Sequence, residues 1–74
     1  MTISREQVIQ RLREAKCHYK RRAERVEIYK LANSSQRIAV PLRNEIPVPA
    51  VRIILRQARL TPRQIEEFLA AAVK

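Results

Sequence analysis

Residues 21–30, RRAERVEIYK, place Arg21, Arg22, Arg25 and Lys30 beside Glu24 and Glu27 around a short apolar run. Two kinds of chemistry fit such a stretch. Guanidinium groups grip phosphate oxygens two at a time, because their planar fork matches the anion's geometry. A carboxylate beside a guanidinium, here Glu27 with Arg25, can also serve as an acid/base next to a phosphate clamp. The second option is the poorer one, since a carboxylate flanked by arginine is a weak proton acceptor near neutral pH.

The remaining reactive side chains are few. His18 is the single histidine, with no obvious carboxylate partner nearby in sequence. It reads as a solvent-facing or hydrogen-bonded side chain rather than a catalyst. Cys17, the single cysteine, reads as a small core residue, with a reactive thiolate among charged neighbours as the alternative. One histidine and one cysteine cannot fill a tetrahedral metal shell, so neither a metal nor a cofactor is expected. The chain has no glycine, so it has no glycine-rich phosphate loop. Its tight turns must use Asn33, Asn44, Ser34, Ser35 or residues in strained conformations.

A formal charge of +9 on 74 residues, carried mostly by arginine, points to an acidic partner, most often nucleic acid. Lys20, Arg21, Arg22 and Arg25 crowd one hairpin, Arg37 and Arg43 flank the next strand, and Arg52, Arg56 and Arg59 recur at helical spacing. The two strand-borne regions can meet across a sheet. Lys20, Arg21, Arg22, Arg25, Arg37, Arg43, Arg52 and Arg56 are therefore the expected RNA-binding residues. Such a surface gives salt-sensitive phosphate affinity and reads no sequence. A solvated charged edge that blocks strand-to-strand pairing accounts for the same cations without a ligand.

With 46% hydrophobic residues the chain is globular, and its length suits one domain, 1–74, with one small core. A single cysteine forms no intrachain disulfide and fits a reducing cytoplasm. No apolar run approaches the roughly 18 residues of a membrane helix, and MTISREQ lacks the apolar segment of a signal peptide. A cytoplasmic protein without membrane contact is expected.

Local patterns name the elements that must hold the cations. Ser4 and Gln7 form a capping box, Ile3 and Val8 a hydrophobic staple, and Val8, Leu12 and Ala15 one helical face. From Cys17 to Pro41 the period changes to that of strands: HYKRR, VEIYKL and RIAV, with a turn at Asn33–Ser35. Val26 and Ile28 share a face, as do Ile38 and Val40, which suits a sheet covered on one side. Pro41 ends the third strand. A helix starts near Pro49, with Val51, Ile54, Leu55 and Ala58 as its buried stripe and Arg52, Arg56 and Arg59 as its cationic one. Thr61, Pro62 and Gln64 open a last helix whose apolar face is Ile65, Phe68, Leu69 and Ala72. The prediction is α-β-β-β-α-α in one α+β domain. The last two helices can also be read as a helix-turn-helix, but Glu66 and Glu67 would then face phosphates that repel them.

Three stretches together resemble the HicA family, small bacterial toxins of toxin–antitoxin pairs that cut messenger RNA. The family pattern has a strand ending in Val-Pro, then Arg, Lys or any other residue, then a histidine, often followed by Asn-Glu-Ile. RIAVPLRNEI, 37–46, matches it with Arg43 at the histidine position. A helix of the form Leu-Arg-x-Ile-Leu-Arg-Gln-Ala-Gly-Leu follows in the family. VRIILRQARL, 51–60, matches it with Val51 first and Arg59 in place of glycine, and EEFL at 66–69 matches the final helix. The resemblance covers nearly the whole chain. It implies a double-stranded-RNA-binding-like fold, a three-stranded antiparallel sheet with helices packed on one face, and a HicB-like antitoxin as a protein partner.

The family's catalytic histidine stands in a Gly-Ser-His segment a few residues before an Ile-Tyr or Ile-Phe pair. Aligned on Ile28-Tyr29, that segment is Glu24, Arg25 and Val26, so the catalytic position is Val26. Valine has no titratable proton and cannot be a general acid or base. Three readings follow: an RNA-binding relative without ribonuclease activity, an active ribonuclease with rebuilt chemistry, and an interaction module for an acidic protein. The first is preferred.

Overall fold

The computed structural model describes residues 1–73. The chain runs β1 (Thr2–Ser4), α1 (Arg5–Glu14), β2 (Cys17–Arg22), β3 (Val26–Leu31), β4 (Arg37–Pro41), β5 (Glu45–Pro47), α2 (Val48–Gln57) and α3 (Pro62–Ala72). Strands β2, β3 and β4 form an antiparallel sheet in that order, and β1 pairs with β5 in a separate two-stranded ribbon. The α+β class, the three-stranded sheet and the three helices are as the sequence predicts. The β1–β5 ribbon is an addition.

That ribbon closes the molecule. Ile3 stands opposite Ile46, and both are buried in the core. The Arg5 N–H donates to the Asn44 carbonyl (2.9 Å) and the Val48 N–H to the Met1 carbonyl (3.2 Å), so the starts of α1 and α2 are held side by side. Ser4 caps α1 by accepting the Gln7 N–H at 3.2 Å. The expected capping box is only half formed, because the Gln7 side chain accepts from the Ser4 hydroxyl and Ser4's backbone lies in β1 opposite Glu45. At α3 the box is complete. Thr61 Oγ1 accepts from the Gln64 N–H, and the Thr61 N–H donates to Gln64 Oε1. Helix α2 begins at Val48, one residue before its proline.

One core joins all these elements. Val8 and Leu12 of α1, Ile38 and Val40 of β4, Val51, Ile54 and Leu55 of α2, and Ile65 and Leu69 of α3 are buried together. Burial of each such side chain is worth about 1.5–3 kcal/mol. The register of the sheet corrects one expectation. Ile38 lies opposite Tyr29 and Val40 opposite Glu27, and residues directly opposite share a face. The covered face of β3 is therefore Glu27, Tyr29 and Leu31. Val26 and Ile28 lie on the uncovered face, opposite Pro41 and Ala39.

Left-handed backbone, which glycine would adopt freely, falls to Lys16 (φ 67°), Asn33 (φ 59°) and Arg59 (φ 65°). Asn33 tolerates it through its short polar side chain. Arg59 follows α2 in a Schellman arrangement. Its N–H donates to the Arg56 carbonyl (2.9 Å), and the Leu60 N–H donates to the Leu55 carbonyl (3.1 Å). Arg59→Gly is expected to stabilise the domain by about 1 kcal/mol, because it relieves the Cβ clash of that conformation. Urea denaturation checks it, and a destabilised variant would contradict it.

Candidate nucleic-acid interface

The turn between β2 and β3 and the exit of β4 come together at one end of the sheet. The Ala23 N–H donates to the Val26 carbonyl (2.9 Å), which closes the hairpin, and the Leu42 N–H donates to the Arg25 carbonyl (3.2 Å). Arg43 thus leaves the sheet one residue past the strand-to-turn bond that holds Arg25. Arg22 stands opposite Glu27 and Arg21 opposite Ile28. A bulge between Tyr19 and Arg21 leaves Lys20 without a register partner. The extra residue puts Arg21 on the uncovered face and Arg22 on the covered one, so arginines project to both sides of the same corner. Lys20, Arg21, Arg22, Arg25 and Arg43 are exposed. None of them joins an ion pair among the described residues.

Glu27 does not pair with Arg25, as the sequence allowed. Its carboxylate binds the Arg5 guanidinium, and Arg5 Nε also donates to the Pro41 carbonyl at 2.9 Å. Both side chains are about one-fifth exposed. Arg5 therefore fastens the first turn of α1 across β3 to the end of β4. This commits Glu27 to Arg5 and leaves Glu24 as the only carboxylate in the turn with the corner's own arginines. One signal in the sequence pointed here: a cation in the first turn of a helix opposes the helix dipole and needs an anion of its own.

The other expected residues lie elsewhere. Arg37 stands opposite Lys30 at the far end of the sheet, roughly 13 Å along β4 from Pro41 at the usual rise per residue. The two strand-borne cationic regions therefore meet only through Arg43. Arg52 is hydrogen-bonded to Glu66, which ties α2 to α3. That bond holds the Glu66 carboxyl below the usual carboxylate range and raises the Arg52 guanidinium further. Arg52 is thus already neutralised, because its partner helix offers an anion at reach. Arg56 is exposed and has no ion pair among the described residues. Arg59 leaves the expected stripe through its left-handed turn.

No strong proton-transfer group stands at the corner. Val26 opens β3 opposite Pro41 and has no titratable proton. Tyr29 is buried, and burial pushes its hydroxyl up, with Glu27 adding to the effect and Arg5 and Arg13 opposing it. Its ring meets that of Tyr19 edge to face, with centroids 5.8 Å apart. Cys17 is buried, and burial pushes its thiol up, away from a reactive thiolate. His18 is exposed on the uncovered face, opposite Lys30. Among the described residues no three His, Cys, Asp or Glu side chains gather where a metal ion could be held. No helix among them is long and apolar enough to cross a membrane. A cleft of about 500 Å³ lies between α1 and α3, lined by Gln7, Gln10, Arg11 and Phe68 among others, away from this corner.

The arrangement can therefore hold phosphates by exposed guanidiniums without ion pairs among the described residues, and Glu24 is the one carboxylate in the turn beside them. Comparison with family models and with curated proteins finds no match to the chain.

Proposed function

We propose that this chain is a small, cytoplasmic RNA-binding protein of HicA-like descent that holds phosphates and has lost ribonuclease activity. The observation that carries the reading is the cationic corner. Lys20, Arg21, Arg22, Arg25 and Arg43 converge where β2, β3 and β4 end, without ion pairs among the described residues; Glu27 is taken by Arg5, which leaves Glu24 as the one carboxylate among five cations. Helices on one face of a three-stranded antiparallel sheet are compatible with a double-stranded-RNA-binding-like fold. Arg59 adds support for the descent. It takes a left-handed conformation at the position where the HicA pattern has glycine.

The test is titration of a short duplex RNA. Four phosphate contacts give a log–log salt slope near −0.9 per contact, so affinity should fall about 10²-fold between 50 and 200 mM salt. A variant with Arg21, Arg22, Arg25 and Arg43 all changed to Ala should lose most of this slope. Its melting should stay close to wild type, because exposed substitutions usually cost under about 0.5 kcal/mol each. Absence of binding at low ionic strength, or a variant that binds like wild type, would remove the proposal.

A further inference from the structure

We infer that the uncovered face of the β2–β3–β4 sheet is a docking surface for an acidic amphipathic helix of another protein, adjoining the phosphate-holding corner at Arg21. The register sets up a basic row. His18 stands opposite Lys30, and Lys30 opposite Arg37, so three basic side chains lie side by side across three strands. Like charges directly opposite each other weaken a sheet. No Asp or Glu in these strands shares that face, because Glu27 lies on the covered side. The row therefore lacks an internal counter-charge and suits an external one.

Beside the row the same face turns apolar. Ile28 lies opposite Ala39, and Val26 opposite Pro41, one sheet row further on. Ala39 and Pro41 continue into a shallow groove of about 190 Å³ against α2, which also takes in Ala50 and Ile53. Ile53 is 57% exposed, an unusual position for an isoleucine in a helix that buries Val51, Ile54 and Leu55 around it. Phosphates make no use of such a strip. Bases would, but only with rings to stack on. The sheet's two tyrosine rings lie together on the covered face, since Tyr29 is buried there and Tyr19 stands opposite it, and the one ring on the uncovered face, His18, belongs to the basic row and not to the apolar strip. This favours a protein over a nucleic acid.

The spacing suits a helix. Successive rows on one sheet face are about 6.6 Å apart, and residues i and i+4 of a helix are about 6.0 Å apart along its axis. A helix lying along β3 would set two apolar residues over Ile28 and Val26 and its carboxylates one turn further on, over Lys30 and Arg37. A second copy of this chain is a poor occupant, because each copy carries a formal charge of +9.

The experiment uses the full-length, nitrogen-15-labelled protein and a synthetic peptide of about 18 residues, long enough to hold a helix. The peptide carries Leu at i and i+4 and Glu at i+7, i+8 and i+11. Amide shifts are expected at Val26, Ile28, Lys30, Ala39 and Ile53, with little change at Arg22 and Arg43. Replacing both leucines by Ser should weaken binding at least about tenfold, as should Ile53→Asp or Lys30→Glu in the protein. Ile53 is exposed, so its variant should keep the wild-type spectrum and separate docking from folding. Equal binding of the serine peptide would reduce the surface to charge alone and overturn the inference. So would shifts confined to the corner, displacement of the peptide from this face by a short oligouridylate, or the same shifts produced by raising the protein's own concentration. Because the readouts lie at different amides, loss of this surface leaves the RNA proposal standing, and the reverse also holds.

Discussion

Leu55→Ala is expected to leave the domain largely unfolded at physiological temperature. Leu55 is fully buried on α2 within the one core that joins the helices to β4 and β5. Removing a buried leucine to alanine costs about 2–5 kcal/mol, since the lost contacts leave a cavity that the surroundings fill only in part. A chain this short rarely holds more than about 3–5 kcal/mol in total. The Leu55 carbonyl also accepts the Leu60 N–H that ends the helix, so disorder should spread from the core into the α2–α3 connection. Thermal melting followed by circular dichroism reads the effect directly. Ile53→Ala, two residues away on the exposed side, should move the midpoint little. If the two variants melt alike, the assignment of inner and outer faces of α2 is wrong.

The faces of α2 and α3 were legible in the sequence because helical periodicity repeats over ten or more residues and carries its own caps. Val51, Ile54, Leu55 and Ala58 are all buried, as their spacing predicts. Thr61 and Gln64 make the expected capping box from local contacts alone. The strands offered no such redundancy. VEIYKL carries apolar residues on both faces, with Val26 and Ile28 against Tyr29 and Leu31. Alternation cannot say which face the helices cover, and the choice is made by Ile38 and Val40 across the register. The β1–β5 ribbon was invisible for a different reason. Two three-residue strands separated by most of the chain show no period, and the position of Ile3 before Ser4 fits a helix staple equally well.

The candidate site was legible in composition and hidden in partnership. That arginines gather at the first hairpin follows from residues 20–25 themselves. Which of them stay free depends on contacts far apart in sequence: Arg5 with Glu27, and Arg52 with Glu66. Glu27, two residues from Arg25 in the chain, binds Arg5 instead, because the β3 pleat points Glu27 toward α1 while Arg25 stays in the turn. Sequence proximity favoured the wrong pair. Arg37 and Arg43, read as two flanks of one strand, end up at opposite ends of the sheet for the plain reason that a five-residue strand is long.

The purified protein is expected not to cleave RNA at the rate of a histidine-dependent ribonuclease. Positioned proton transfer contributes about 10²–10⁴-fold to such reactions, and the donor or acceptor must lie within hydrogen-bond reach of the reacting oxygen or one water away. At the corner where phosphates would be held, the chain offers Val26, which has no proton to move, arginines, which stay charged and cannot deprotonate a 2′-hydroxyl, and the single exposed carboxylate Glu24, where the reaction needs a general acid as well as a general base. Glu27 is held by Arg5, and Tyr29 and Cys17 are buried with their acidities weakened. His18 pairs in register with Lys30, four residues along β3 from Val26, or roughly 13 Å. That is too far to serve a phosphate gripped by Arg25 and Arg43. The assay compares wild type, Val26→His and His18→Ala on one RNA substrate. Wild-type cleavage abolished by His18→Ala would place the reaction on the uncovered face and overturn both the alignment and the loss of catalysis. Cleavage gained by Val26→His alone would mean that the arginine corner still holds the phosphate in a reactive geometry, so that the missing proton carrier is what separates this chain from an active nuclease.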